Sequence, residues 1–321
     1  MKPDILDPIL FMNAIQKIKE VTGILLPCGI ESAEREAELM IRYGLHIDPV
    51  TLYNENRDLE KHEELMIQKM VDRRTAREPL QYILGSVDFM DLHLNVSEGV
   101  LIPRPETELM AEYAIKKVKS YELRGMSERQ NIEPQRQDFG ILNKKLCTPD
   151  LGLCILDLCT GSGCLALSIA KVFPDAHITG CDDSEDALHI AEKNAEMNNI
   201  KNVRFIRGDL FDAVPHEDNF DMIISNPPYI KTDEIKGLQP EIRDWEPLKA
   251  LDGGDDGLDY YRLIVPESVH FLRNNGILIF EHGDGQSDDI AGILRIAGFK
   301  AIEAIKDYSG KERFIQARWT K

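Results

Sequence analysis

Through the first 78 residues, apolar side chains return every three or four positions. Ile15, Ile18, Val21 and Leu25, and later Leu65, Met66, Met70 and Val71, mark successive helical faces. The segment "ESAEREAELMIRYGL" is built from strong helix formers, with Ser32 as its N-cap and Gly44 as a stop or kink near its end. Residues 1–78 are therefore expected to form a small helical domain. From Glu78 the texture changes. "PLQYILGSVDFMDLHLNVSEGVLIP" is rich in aromatic and branched residues, and "LHLNV" alternates, so residues 79–104 read as a linking β-hairpin. "RPETELMAEYAIKKVKSY" then opens a helix with Pro105 in its first turn, acids early and lysines late, as the helix dipole favours. Residues 121–150 are polar and without period, and are expected to be a long surface loop.

Beyond that loop, strands and helices alternate. "CILDLCT", "AHITGCD", "VRFIRGD", "FDMIISN" and "GILIFEHG" read as strands. "GCLALSIAKVF", "SEDALHIAEKNAEMN" (with Ser184 as N-cap), "LDYYRLIVPESVHFLRNN" and "SDDIAGILRIAG" read as helices. "FKAIEAIKDYSGKERFIQARW" closes the chain with two strands around Ser309-Gly310. The alternation predicts an α/β fold over residues 105–321: a seven-stranded, mostly parallel sheet with helices on both faces and an antiparallel edge hairpin.

Composition changes this picture little, and charge changes it more. The chain has 321 residues, 43% of them hydrophobic, and carries a formal net charge of −18. Such an acid excess argues against a general nucleic-acid binder, whose affinity rests on cations placed against phosphates. No apolar run approaches the ~20 residues that span a bilayer, and the N-terminus lacks the pattern of a signal peptide, so a cytoplasmic protein is expected. The six cysteines form no CxxC pair and have no histidine at zinc-finger spacing; they are read as reduced structural thiols, with no metal site.

Candidate chemistry gathers where strands end, since open α/β sheets bind ligands at the carboxyl ends of their strands. In "DLCTGSG", Gly161 and Gly163 permit a tight turn and close backbone approach, with Asp157 facing inward. It is neither a P-loop nor a full dinucleotide fingerprint, because Cys159 stands where a first glycine is expected. Asp182, at the end of the next strand, suits ribose hydroxyls, with Asp183 beside it as a helix-entry residue. Asp209 ends the strand after that, where Leu210 and Phe211 can flank a flat base. The fourth strand ends on "SNPPY": an amide, Asn226, followed by Pro227 and Pro228, which fix the backbone where a simpler turn would serve, and then Tyr229.

"LDLCTGSG", "GCDDS", "GDLFD" and "NPPY" resemble the motifs of class I S-adenosylmethionine-dependent methyltransferases, a Rossmann-like fold. The NPPY form belongs to those acting on a planar nitrogen, either an adenine amine or a glutamine amide. "IPRPETE", "DGGDDGLDYYRLI", "FEHGDGQ" and "KDYSGKERF" narrow the resemblance, from about residue 30 onward, to the HemK/PrmC family. Its members methylate the N5 amide of the glutamine in the Gly-Gly-Gln motif of peptide chain release factors. The resemblance implies S-adenosylmethionine as cofactor, without a metal, and release factors as partners, bound by the helical N-terminal domain. It places the cofactor on Asp157, Cys159, Thr160, Gly161, Ser162, Gly163, Asp182, Asp209, Leu210 and Asn226. Asn226 and Pro227 would then hydrogen-bond the substrate amide, with Pro228 stiffening the turn and Tyr229 packing on the flat group. Arg104, Glu106 and Thr107 would support the pocket, while Glu108 is read as structural. A glutamine methyltransferase for a ribosomal protein, or an adenine-amine methyltransferase for DNA or RNA, are the alternatives.

Overall fold

The computed structural model describes residues 12–125, 152–216 and 219–320. The greater part of the expected polar loop, from residue 126, lies outside the described residues. The chain forms two compact units, one of residues up to Gly85 together with Pro240–Trp245, the other of Ser86–Gln239 and Glu246–Lys321.

The first unit holds α1 (Ala14–Leu25), α2 (Ala33–Leu45), α3 (Pro49–Glu55), α4 (Lys61–Thr75) and α5 (Leu80–Leu84). Their apolar faces meet in one core of residues such as Val21, Leu25, Met40, Ile41, Leu52, Ile67 and Val71. Asn13 and Gln16 close a reciprocal capping box at the start of α1, and Asp48 caps α3 ahead of Pro49. Three local expectations change. Ser32 stands at the N-cap of α2, but its hydroxyl bonds the Glu36 carboxylate instead of a backbone amide. Gly44 does not stop α2, which runs on to Leu45; a Cβ there would come within 2.9 Å of Ile67 Cγ1, so the glycine serves close packing of α2 on α4. Leu80–Leu84 is helical, not part of a hairpin, because Gly85 at φ +76° supplies the left-handed residue that ends a helix. A short helix from far along the chain, α9 (Pro240–Arg243), completes this unit. Its Glu241 bonds both Arg74 (2.8 Å) and Arg77 (2.6 Å), and Arg74, nearly buried, also holds Glu36 at 2.6 Å.

The second unit opens with the hairpin β1 (Ser86–Phe89) and β2 (Leu92–Asn95), followed by α6 (Pro105–Gly125). That helix runs past residue 121, where the loop was expected to begin. The sheet then forms from β3 (Cys154–Leu158), β4 (His177–Asp182), β5 (Val203–Arg207), β6 (Phe220–Ser225), β7 (Leu272–Glu281), β8 (Lys300–Lys306) and β9 (Glu312–Arg318). Their order is β5-β4-β3-β6-β7-β9-β8. The pairs from β5 through β7 are parallel, and β9 with β8 forms the antiparallel edge. β7 begins at Leu272, inside the stretch "HFLRNN" expected to be helical; α10 (Asp259–Phe271), which carries Pro266, ends just before it.

Strand alternation builds two cores from one sheet. Ile155, Met222, Ile224, Ile277 and Ile279 face α6 and α7 (Cys164–Val172). Leu156, Leu158, Ile223, Leu278 and Phe280 face α10 and α11 (Ser287–Ile296). The remaining helix, α8 (Glu185–Met197), begins at Ser184, whose hydroxyl accepts the Ala187 amide as expected of an N-cap. The chain order reverses between β3 and β6, which puts the topological switch point at the carboxyl ends of Leu158 and Ser225.

Candidate active site

A cleft opens at that switch point. Backbone conformation shapes its floor. After β3 the chain passes through left-handed φ at Cys159 (+58°), Gly161 (+54°) and Gly163 (+80°). Cys159 thus adopts a conformation natural to glycine, which explains why glycine is expected at its position. The Asp157 carboxylate ties the turn from beneath: its Oδ2 accepts the Thr160 hydroxyl at 2.6 Å and the Ala166 amide at 3.2 Å. Asp157 is fully buried, its Oδ1 has no partner among the described residues, and burial pushes its carboxyl up to about 7. It organises the turn and does not reach the cleft.

Asp182 does reach the cleft. Its Oδ2 accepts the Gly161 amide at 2.8 Å and its Oδ1 the Ser184 amide at 3.0 Å, so the acid links the ends of β3 and β4. Burial raises its pKa against those two bonds. Thr160, Gly161 and Ser162 line the wall beside it, with Cys159, and Asp209 and Leu210 form another wall. Leu210 also stands at positive φ (+49°). Phe211, expected beside Leu210 against a flat base, instead lies in the core, stacked on Phe271 at 4.7 Å. Asp183 is not simply a helix-entry residue, because it pairs with Lys249 on the cleft's rim.

On the far side β6 ends at Ser225, buried, with its hydroxyl on the Leu158 carbonyl at 2.8 Å. Asn226 and Pro228 line the cleft, Pro227 joins them in the turn, and Tyr229 is outside the lining. The Pro227 carbonyl accepts no hydrogen bond from the described residues. The turn is clamped from behind. Gln286 Nε2 donates to the Tyr229 carbonyl at 2.9 Å, Ile230 pairs with Leu251 and Gly253 through backbone bonds, and a Cβ on Gly257 would overlap the Tyr229 carbonyl oxygen. The "DGGDDG" run is glycine-rich because it packs against this backbone.

Among the supporting residues, Arg104 and Thr107 line the cleft and Glu106 does not. Arg104 bonds Glu246 at 2.5 Å, and Glu246 is almost wholly buried with one carboxylate oxygen unpartnered among the described residues. Glu108 accepts the Met90 amide at 3.1 Å, a structural contact. The most consequential residue here is one that the motifs do not mark: Glu281, the last residue of β7. It is buried, accepts the Thr107 hydroxyl at 2.7 Å and the Tyr229 hydroxyl at 3.4 Å, and is pushed up to about 7 by burial. Thr107 in turn accepts Asn226 Nδ2 at 3.3 Å. The one sequence signal for Glu281 is a charged residue closing the apolar run of residues 277–280.

The cleft suits a cationic nucleoside. Carboxylates of Asp182, Asp183 and Asp209 line it with two cations, Lys249 and Arg104, which are themselves paired to Asp183 and Glu246; backbone amides and glycines allow close approach, and Val100, Leu101 and Leu210 offer apolar surface. Of the six cysteines, the five described are free thiols. Among the described residues no helix is long and apolar enough to cross a membrane.

Residues 16–85 match the PrmC N-terminal domain and residues 140–239 the methyltransferase small domain. The chain is 40% identical to the release factor glutamine methyltransferase of Thermodesulfovibrio yellowstonii, over 95% of this chain and 97% of that one. It is 36% identical to the enzyme of the same name from Geobacter sulfurreducens, over 95% and 96%. With that of Clostridium acetobutylicum it shares 33% identity over 92% and 94%. At such identity over nearly the whole length of each, the chain belongs to the release factor glutamine methyltransferase family.

Proposed function

We propose that this protein acts in the cytoplasm and transfers a methyl group from S-adenosylmethionine to the side-chain amide nitrogen of the glutamine in the Gly-Gly-Gln motif of peptide chain release factors. The observation that carries the reading is the Asn226 carboxamide, held rigidly at the end of β6 on the wall of an acid-lined cleft. The family supplies the reaction; the geometry supplies the reason for these residues.

An amide nitrogen is a poor nucleophile because its lone pair is delocalised. When bound, S-adenosylmethionine supplies a methyl group already activated by a sulfonium. What the protein must add is alignment. Asn226 Oδ1 and the Pro227 carbonyl offer two acceptors for the two N–H bonds of a primary amide, which orients the nitrogen and favours the positive charge it develops. The prolines and the clamp behind Tyr229 keep those acceptors in place before substrate arrives. The nitrogen's proton becomes acidic once the new C–N bond forms and leaves to water, so a strong base is not required. Asp182, Asp209, Leu210 and the 159–162 turn would hold the cofactor, with Asp157 shaping that turn from below. The helical unit would receive the body of the protein substrate.

The test is transfer of labelled methyl from S-adenosylmethionine to three acceptors held separately: a release factor, ribosomal proteins and duplex DNA. Label on the release factor, lost when its Gly-Gly-Gln glutamine is changed to alanine, supports the reading. Label in DNA or in ribosomal proteins alone overturns it.

A further inference from the structure

Three side chains from three elements meet behind the cleft: Thr107 from the first turn of α6, Asn226 from the turn after β6, and Glu281 from the end of β7. Thr107 and Glu281 are 1% and 2% exposed, so water does not complete their hydrogen bonding. Their donors and acceptors can therefore be counted. A threonine hydroxyl has one proton, and an ionised carboxylate has none to give. The short 2.7 Å contact to Glu281 Oε2 takes the Thr107 proton, which leaves the hydroxyl oxygen as a pure acceptor toward Asn226 at 3.3 Å. Only the NH₂ end of the Asn226 amide can face it, and the Glu281 carboxylate beside it favours the same end. The opposite orientation would set two acceptors against each other with no proton between them, at a cost comparable to a lost buried hydrogen bond.

We propose that Thr107 and Glu281 are positioning residues that hold the Asn226 carboxamide with Nδ2 inward and Oδ1 toward the cleft, so that the acceptor reading the substrate amide is set from two other elements. This rests on the reading of Asn226 given above. It also explains why a carboxylate occupies a site where a neutral residue would be cheaper to bury. A neutral amide at position 281 could donate as well as accept and would leave the direction of the chain undefined. An ionised carboxylate defines it.

Protonation of Glu281 would remove that definition. A protonated carboxyl can donate to Thr107, which can then donate to Asn226 Oδ1 and turn the NH₂ toward the incoming N–H bonds. The groups facing Glu281 are Thr107 and Glu106 from α6, Tyr229 and Asn226 from the turn after β6, and Tyr261 from α10, whose hydroxyl holds the Glu281 carbonyl at 2.7 Å. Cys164, and Arg104 and Arg313 acting on Tyr229, stand further out, and His282 follows in sequence. Burial and Glu106 oppose ionisation, and the Thr107, Tyr229 and Asn226 hydrogen bonds favour it.

The experiment compares Thr107→Val, Thr107→Ser and Glu281→Gln in the full-length protein, with Asn226→Ala as reference. Each is measured for kcat/KM on a release factor, for S-adenosylmethionine affinity, and for binding of a Gly-Gly-Gln peptide in the presence of S-adenosylhomocysteine. Thr107→Val should weaken peptide binding and kcat/KM by about tenfold or more, the worth of one such bond, while cofactor affinity stays within about twofold. Thr107→Ser should recover most of both. The wild-type enzyme should lose kcat/KM on acidification around neutral pH, and Glu281→Gln should erase that fall, a readout that a purely structural role would not move. Unchanged peptide binding in Thr107→Val, or an acid limb that persists in Glu281→Gln, overturns the proposal. Should Thr107→Val fail to fold, the Glu281→Gln profile decides alone. If Asn226→Ala itself keeps full activity, the role given to Asn226 fails, a result distinct from failure of the positioning chain.

Discussion

In the proposed reaction Asn226 would act through one atom. Its Nδ2 is committed inward to Thr107, and its Oδ1, without a protein partner among the described residues, would be the acceptor offered to substrate. Replacing it with alanine should remove a preorganised acceptor while leaving the walls of Asp182, Asp209 and the 159–162 turn intact. Loss of one such group typically costs about 10²–10³ in turnover. We therefore expect Asn226→Ala to lower kcat on a release factor by about that factor, with cofactor affinity, measured by calorimetry, changed by less than about threefold. An equal collapse of cofactor affinity would show that Asn226 holds the cofactor instead. Cys159 shows the same precision in backbone terms. It carries φ +58° where a glycine would sit without strain, so the turn keeps its shape through the Asp157 and Asp182 bonds that pin both sides of it.

Among the elements, the turn after β6 depends most on its neighbours. Its prolines fix φ, and Pro228 restricts the ψ that orients the Pro227 carbonyl, but its position comes from Gln286, Leu251 and the glycines at 253 and 257. Gly257→Ala is then a test of support at a distance from the chemistry. The new methyl would overlap the Tyr229 carbonyl and the Gln286 amide, at a φ of +76° that alanine resists. We expect about 1–3 kcal/mol of destabilisation by chemical denaturation and a larger proportional loss of activity than of cofactor affinity. Wild-type stability and activity in this variant would show that the turn is held by its prolines alone. The elements also show what could be read in advance. Strands and helices of the sheet were legible because period and strand-end polarity are local signals. The helix at Leu80–Leu84 and the early start of β7 were not: Gly85 can end a helix or turn a hairpin, and Leu272 joins the strand by pairing with Phe220 across the sheet. Of the site, Asn226, Asp182 and the glycine turn were legible as polar interruptions of apolar strands. Glu281 and its contact to Thr107 join residues 174 positions apart, and no local pattern announces such a meeting.

At the scale of the whole molecule, buried acids set against an acid surplus govern how stability depends on pH. Asp157 and Glu281 are both pushed up to about 7 by burial, from ordinary values of 3.8 and 4.5. Because the folded protein keeps these protons that the unfolded chain has already lost, stability declines as pH rises from about 4 to about 7 and is regained on acidification. This is the reverse of the usual carboxylate behaviour. Asp256 and Asp307, held down to about 2 by hydrogen bonds from Arg262 and Ser309, act in the usual sense, as do Glu63 and Glu241, both lowered by arginines. Their contribution is present above their unfolded values and is lost as pH falls toward 2. With a formal charge of −18 at neutral pH, partial protonation also relieves repulsion. His177 and His282, both lowered from 6.5 by burial, oppose the first set on the acid side, and the carboxylates together still place the stability maximum on the acid side of neutrality. Melting temperature should rise as pH is lowered from about 8 to about 5, then fall below about 4. Asp157→Asn and Glu281→Gln should each flatten the rise without altering the fall, and a melting temperature that drops steadily from pH 8 downward would contradict the assignment. Glu281 then faces two demands of opposite sign: the fold prefers it protonated, and orientation of Asn226 requires it ionised. Near neutral pH the protein would surrender stability at one buried carboxylate to keep its amide acceptor pointed at the substrate.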